Sequence, residues 1–196
     1  MGERLGVFGG TFDPIHVGHL VAAVNARAAL GLDRVLLVVA NQPWQKSSRL
    51  VTPAGDRFAM VAAAVAGARG EGLEASRLEM DRGGQSFTAD TLEALVAEDP
   101  GRELFLVVGA DVAGQLDTWE RPGVVQRLAT LVVVDRPGAP DPALGPGWRV
   151  ERVAIPHLDI SASDLRARAA AGLPLDWLVP PETIACIRER ALYAKE

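Results

Sequence analysis

The sequence predicts an α/β fold, a doubly wound parallel sheet with helices on both faces. Two observations carry this. Four short runs, Leu5 to Phe8, Arg34 to Val39, Leu104 to Val108 and Thr130 to Val134, are almost continuously aliphatic. Strands covered on both faces read that way, whereas strands with one wet face alternate. Helix-like segments then separate these runs in a repeating strand, helix, strand order. Parallel neighbours need such crossovers, which place helices above and below the sheet.

Each element has its own signal. After the first strand, Val17 to Leu30 is alanine-rich and stops at Gly31, a residue suited to the left-handed turn that closes helices. Pro53 to Gly67 follows Thr52, read as an N-cap with proline at the first helical position. Leu73 to Met80 and Arg149 to Ile155 are weaker strand signals. Thr88 to Glu98 lies between a Gly-Gly break and Pro100-Gly101. Ser161 to Ala171 opens with Ser161 and Asp164 at capping-box spacing and is closed by Gly172. Pro181 to Leu192 forms the last helix, and the Pro/Gly-rich stretch Asp135 to Gly147 is a surface loop.

Composition narrows the function classes. A chain of 196 residues with 48% hydrophobic and 23% charged residues fits one soluble domain with a real core, not a disordered segment. A net charge of -5 argues against a general nucleic-acid or anionic-membrane surface. Cys186 is the single cysteine, so neither an internal disulfide nor a thiolate metal cluster can form. The start of the chain lacks the apolar core of a signal peptide, and no run reaches membrane-helix length. The expected location is cytoplasmic. A homo-oligomer is left open.

Chemistry concentrates first in Gly9 to Leu20, GGTFDPIHVGHL, between the first strand and the first helix. Gly9 and Gly10 let the backbone approach a ligand, and Gly18 leaves room between two histidines. The N-terminus of the next helix offers N–H groups and partial positive charge to a phosphate. His16 and His19, two of three histidines in the chain, share a face at helical spacing. A tight turn with incidental histidines, or a zinc pair without a visible third ligand, are the competing accounts. No Walker lysine or serine elbow is present.

A second cluster, Ile160 to Arg166 (ISASDLR), opens a helix. Ser161 and Ser163 place hydroxyls at its start, and Arg166 can present a planar fork of donors to phosphate. A well-capped surface helix with a solvated arginine would read the same.

Together the two strings resemble the HxGH and ISSTxxR signatures of the nucleotidyltransferase superfamily. The full form of the first is similar to that of bacterial nicotinate-nucleotide adenylyltransferases. Ala162 stands where the family commonly has serine, and Ser163 where it has threonine. The resemblance implies a Rossmann-like sheet in a three-layer α/β/α arrangement, forming one domain over residues 1–196 whose C-terminal helical part, from about 160, completes the ATP site. It implies ATP as donor, nicotinate mononucleotide as acceptor, and Mg²⁺ carried on the ATP phosphates; since Mg²⁺ keeps most of its waters, few or no protein ligands are expected. The ATP site would comprise Gly9, Gly10, Thr11, Phe12, His16, Gly18, His19, Gly109, Asp111, Ser161, Ser163 and Arg166. His16, His19, Lys46 and Arg166 would serve catalysis.

The middle of the chain resembles the same family at the acceptor side. Asn41 to Lys46 (NQPWQK) follows the second strand, where many relatives carry PPHK. Ser86 to Leu92 is similar to the SYTxDTL helix start. Gln42, Lys46, Thr88, Trp119 and Arg136 are the implied acceptor contacts, with Trp119 facing the pyridine ring. A loop lysine, a capping threonine, a packing tryptophan and a loop arginine are the plainer readings. A phosphopantetheine-type adenylyltransferase is the nearest enzymatic alternative, against which His16 and the Trp119 segment count. A non-catalytic nucleotide-binding module is the other. A dehydrogenase is weaker, since the first turn is not GxGxxG.

Overall fold

A computed structural model describes residues 2–43, 51–68, 71–135, 144–156 and 158–194. In chain order the elements are β1 (Arg4–Gly10), α1 (Val17–Leu30), β2 (Arg34–Val39), α2 (Ala54–Gly67), β3 (Leu73–Ser76), α3 (Leu78–Arg82), α4 (Thr88–Glu98), β4 (Glu103–Gly109), α5 (Ala110–Ala113), a 3₁₀ turn (Leu116–Thr118), α6 (Pro122–Leu128), β5 (Ala129–Asp135), β6 (Val150–Ala154), α7 (Ala162–Ala170) and α8 (Pro181–Glu189). The six strands form one sheet in the order β3-β2-β1-β4-β5-β6, and every pairing is parallel. This is the predicted doubly wound, three-layer α/β/α sheet.

Successive strand residues point to opposite faces, and this divides the core in two. Val35, Leu37, Val39, Phe105, Val107, Val132 and Val134 bury against α1, α2 and α8 on one face. Leu36, Val38, Leu104, Leu106, Val108, Leu131 and Val133 bury against α4 and α6 on the other. Continuous aliphatic runs arise because both faces of each strand are dry. Each fully buried Leu or Val contributes about 1.5–3 kcal/mol, so both layers contribute to the stability of the one sheet.

Four local readings change. The Leu73 to Met80 run is a strand only to Ser76; the Ser76 hydroxyl accepts a hydrogen bond from Leu78 N at 3.3 Å, and the chain turns into α3. Pro53, not Thr52, is the N-cap of α2, and no side chain caps it. The segment from Ala110 to Leu128 holds two short helices and a 3₁₀ turn that sequence periodicity does not mark. The last helix ends at Glu189, because Arg190 already has a non-helical backbone. The stops at Gly31 and Gly172 hold, both with left-handed φ (59° and 68°).

Candidate active site

In a sheet of this order, the crossovers leave β1 and β4 toward opposite faces, and a crevice opens beyond their carboxyl ends. A cleft of about 820 Å³ lies there, lined by the turn after β1, the start of α4, the Gly109–Asp111 segment after β4, and the start of α7.

The turn after β1 is held by its own side chains. Phe12 adopts a left-handed backbone (φ 49°) and folds its ring back over Gly10, where a Cβ would lie 2.7 Å from a ring carbon. Gly10 therefore makes room for Phe12, whereas the space beside Gly9 is open. The Phe12 ring meets the His19 ring edge-on at 5.1 Å between centroids. His16 is the N-cap of α1 in extended conformation, not a residue of the helix, yet its ring stacks 3.7 Å from that of His19. A Cβ on Gly18 would lie 3.1 Å from His16 Nδ1, so Gly18 gives the ring its place.

The two imidazoles differ in their contacts. His16 is buried, its Nδ1 lacks a partner, and burial pushes its pKa down to about 4, so the ring is neutral at pH 7. His19 Nδ1 accepts the N–H of His16 at 3.2 Å. In the neutral ring that leaves the proton on Nε2, which makes His19 a donor from that atom. Fewer helix N–H groups face a ligand than the sequence suggests. Val17 N–H donates to Leu178 O at 3.0 Å and His19 N–H to His16 O at 3.0 Å.

Arg166 joins the second motif to the first. Its Nη1 donates to Asp13 O at 2.6 Å and its Nη2 to Ser163 Oγ at 3.3 Å. Asp13 is buried and ties the turn down from both sides: its carboxylate accepts from Tyr193 OH at 2.7 Å and from Thr52 N–H at 3.3 Å. Burial and the Asp13 hydrogen bond hold the Tyr193 phenol well above its ordinary pKa, so it stays a donor. Ser161 is the predicted N-cap of α7: its Oγ accepts from Asp164 N at 3.1 Å and donates to Asp164 Oδ2 at 2.7 Å. Its hydroxyl is thus engaged in the cap, although the residue lines the cleft.

On the acceptor side, Thr88 is the first residue of α4 and lines the cleft, but the N-cap is Phe87 and no side chain fills that role. The capping explanation for Thr88 is removed. Trp119 also lines the cleft, half-buried, with a buried indole Nε1–H that has no partner. Its turn is anchored on both sides. Asp117 accepts from Gly145 N at 3.0 Å and from Trp148 Nε1 at 3.2 Å, and Arg121 pairs with Asp90 and Glu93 of α4. Gly109 and Asp111 border the cleft, and a Cβ on Gly109 would lie 2.6 Å from Asp111 Oδ1. Gln42 is exposed; its carbonyl accepts from Ser86 N at 3.1 Å, and the neighbouring Pro43 lines the cleft instead. Thr11 lines it too. Lys46 and Arg136 lie outside the described residues. Among the described residues no group of three or more His, Cys, Asp or Glu could hold a metal ion.

Sequence reasoning missed Arg57, Glu79 and Tyr193. Glu79 is buried beside the cleft and accepts from Thr91 Oγ1 at 2.6 Å, which braces the start of α4. Arg57 had a visible signal: it falls on the buried stripe Arg57, Met60, Val61, Ala64 of α2, where an arginine is out of place.

A glycine-rich first turn and a distant arginine that meet in one cleft at the switch point of a Rossmann-like sheet define a nucleotidyltransferase. The cytidylyltransferase-like family model matches residues 7–168. A protein of Corynebacterium kroppenstedtii named "Probable nicotinate-nucleotide adenylyltransferase" is 45% identical over 97% of this chain and 90% of its own. One of the same name from Saccharopolyspora erythraea is 43% identical over 99% and 91%. The fold matches that of Plasmodium falciparum nicotinic acid mononucleotide adenylyltransferase complexed with NaAD, with a TM-score of 0.78 over 97% of both chains at 17% identity. The chain belongs to the cytidylyltransferase-like family and, within it, to the nicotinate-nucleotide adenylyltransferases.

Proposed function

We propose that this enzyme transfers the AMP part of ATP to the 5′-phosphate of nicotinate mononucleotide, giving deamido-NAD and pyrophosphate, as a cytoplasmic enzyme acting on small nucleotides and not on nucleic acid. The observation that carries the reading is the hydrogen bond from Arg166 to Asp13 O, which brings both phosphate-type motifs to the cleft that holds His16 and His19.

A phosphate oxygen of the acceptor forms the new bond to the α-phosphorus, and the bond from that phosphorus to the β-bridging oxygen breaks, with its electron pair leaving on pyrophosphate. The acceptor phosphate is already ionised at neutral pH, so no general base is needed, and catalysis reduces to alignment and charge stabilisation. The Nε2–H of His19 and the guanidinium of Arg166 stabilise charge that develops on the triphosphate. Lys46 is assigned as a further cation for the phosphates. The donors at the phosphate end are nitrogens, suited to anions and not to a hard cation, which fits Mg²⁺ carried on the phosphates themselves. When bound, Mg²⁺ supplies neutralisation of charge on the leaving pyrophosphate.

At the acceptor end, Gln42, Thr88, Trp119 and Arg136 are assigned to nicotinate mononucleotide. The unpartnered indole N–H of Trp119 supports this, since a buried donor without an acceptor is costly until a ligand supplies one. The carboxylate of nicotinate meets that need with full charge, so nicotinate mononucleotide is preferred over nicotinamide mononucleotide. Mass detection of products from ATP, Mg²⁺ and a panel of the two mononucleotides and phosphopantetheine tests the assignment. Deamido-NAD as main product is expected; adenylylation of phosphopantetheine alone, or equal use of both mononucleotides, contradicts it.

A further inference from the structure

Arg57 stands outside the groups assigned to ATP or acceptor, yet it is among the most deeply buried side chains of the protein, 1% exposed. Its guanidinium donates to three backbone carbonyls on three separate segments. Nε reaches Thr52 O at 2.7 Å, Nη1 reaches Thr11 O at 2.8 Å, and Nη2 reaches Asn41 O at 3.1 Å. Thr11 belongs to the turn after β1, beside the histidines. Asn41 follows β2 and Thr52 precedes α2, so they stand on either side of Lys46 in the sequence. Burial works against the charge and Asp13 favours it. Asp13 is itself bonded to Thr52 N–H, and its carbonyl receives Arg166. One planar cation therefore fixes the spacing between the turn after β1 and the described residues that flank positions 44–50, Asn41 and Thr52.

We propose that Arg57 is a positioning residue that sets the alignment of the acceptor phosphate with the α-phosphorus, an inference that rests on the function proposed above. In-line transfer is sensitive to spacing, and a misplacement of about 1 Å can cost about 100-fold in rate. A purely structural arginine would lower stability and leave the turnover of folded enzyme alone. The geometry also explains why lysine is no substitute: an ammonium is a compact point and cannot span three carbonyls set around a planar fork.

The test is Arg57→Lys, assayed well below its own melting temperature so that the protein is folded, with Thr183→Val as control. Thr183 is equally buried, donates to Met60 O on the same helix at 3.1 Å, and lies outside the cleft lining. Both variants are expected to melt earlier than wild type. Arg57→Lys is expected to lose roughly 10- to 100-fold in kcat, with a smaller change in KM for either substrate, while Thr183→Val keeps wild-type kcat. Should Arg57→Lys not fold, Arg57→Gln gives the same comparison. Wild-type kcat in a folded Arg57 variant, or an equal kcat loss in Thr183→Val, overturns the proposal while wild-type turnover keeps the function itself intact. Absence of adenylyl transfer by wild type with any acceptor overturns both.

Discussion

His16 should make the stability of the free enzyme depend on pH in a calculable way. Burial lowers its pKa from 6.5 to about 4. A group whose pKa is depressed by folding contributes stability that is complete above its unfolded value, here 6.5, and is lost as pH falls through the folded value. At about 1.4 kcal/mol per pH unit, the full loss is on the order of 3 kcal/mol, of which about 2 kcal/mol is gone by pH 5. Carboxylates titrate in the same range, so the measurement is a difference. Urea unfolding of wild type and His16→Asn is followed at pH 7.5 and pH 5, and the wild-type advantage should shrink by about 2 kcal/mol. Groups common to both proteins cancel. A difference that stays constant within about 0.5 kcal/mol would show that His16 titrates normally in the fold, and the view of it as a neutral, buried ring would be wrong.

Three other outcomes follow from the site. His19→Ala removes the ring whose Nδ1 accepts the His16 N–H and, assayed well below its own melting temperature, should lower kcat by about 10²–10³; near-normal turnover would remove His19 from the phosphate site. Arg166→Lys keeps the charge but not the fork that spans Asp13 O and Ser163 Oγ, so KM for ATP should rise at least about tenfold in initial-rate assays, with the acceptor KM changed less. Trp119→Phe keeps a ring and removes the buried N–H; the ratio of kcat/KM for nicotinate over nicotinamide mononucleotide should fall about tenfold, and an unchanged ratio would show that the indole N–H does not read the carboxylate.

The sheet was legible because strands dry on both faces leave an unmistakable trace: Arg34 to Val39 and Leu104 to Val108 are read within a residue or two of their observed bounds. The segment between Gly109 and Leu128 was not, because its short helices are set by tertiary anchors such as Asp117 and Arg121, and no periodic stripe can develop in four to seven residues. Within the site, spacing correctly brought His16 and His19 into contact, but by an N-cap and stacked rings and not by a shared helical face. Arg166 was found through its motif, and its partner, the carbonyl of Asp13, was not, since a backbone acceptor leaves no mark in composition. The burial of His16, and hence its neutrality, is likewise a property of packing that residue order does not carry.

The bond from Arg166 to Asp13 spans 153 positions, and that from Tyr193 to Asp13 spans 180. A ribosome must therefore deliver nearly everything up to Tyr193 before the first turn, made among the earliest residues, acquires the arginine bonded to its backbone and its phenolic brace. A nascent chain halted anywhere in the sheet carries the glycines and both histidines in its sequence but lacks the arginine that donates to Asp13 O. Premature stop codons upstream of Arg166 should accordingly give products without adenylyl transfer, and the centre announces, chemically, that translation has passed the seventh helix.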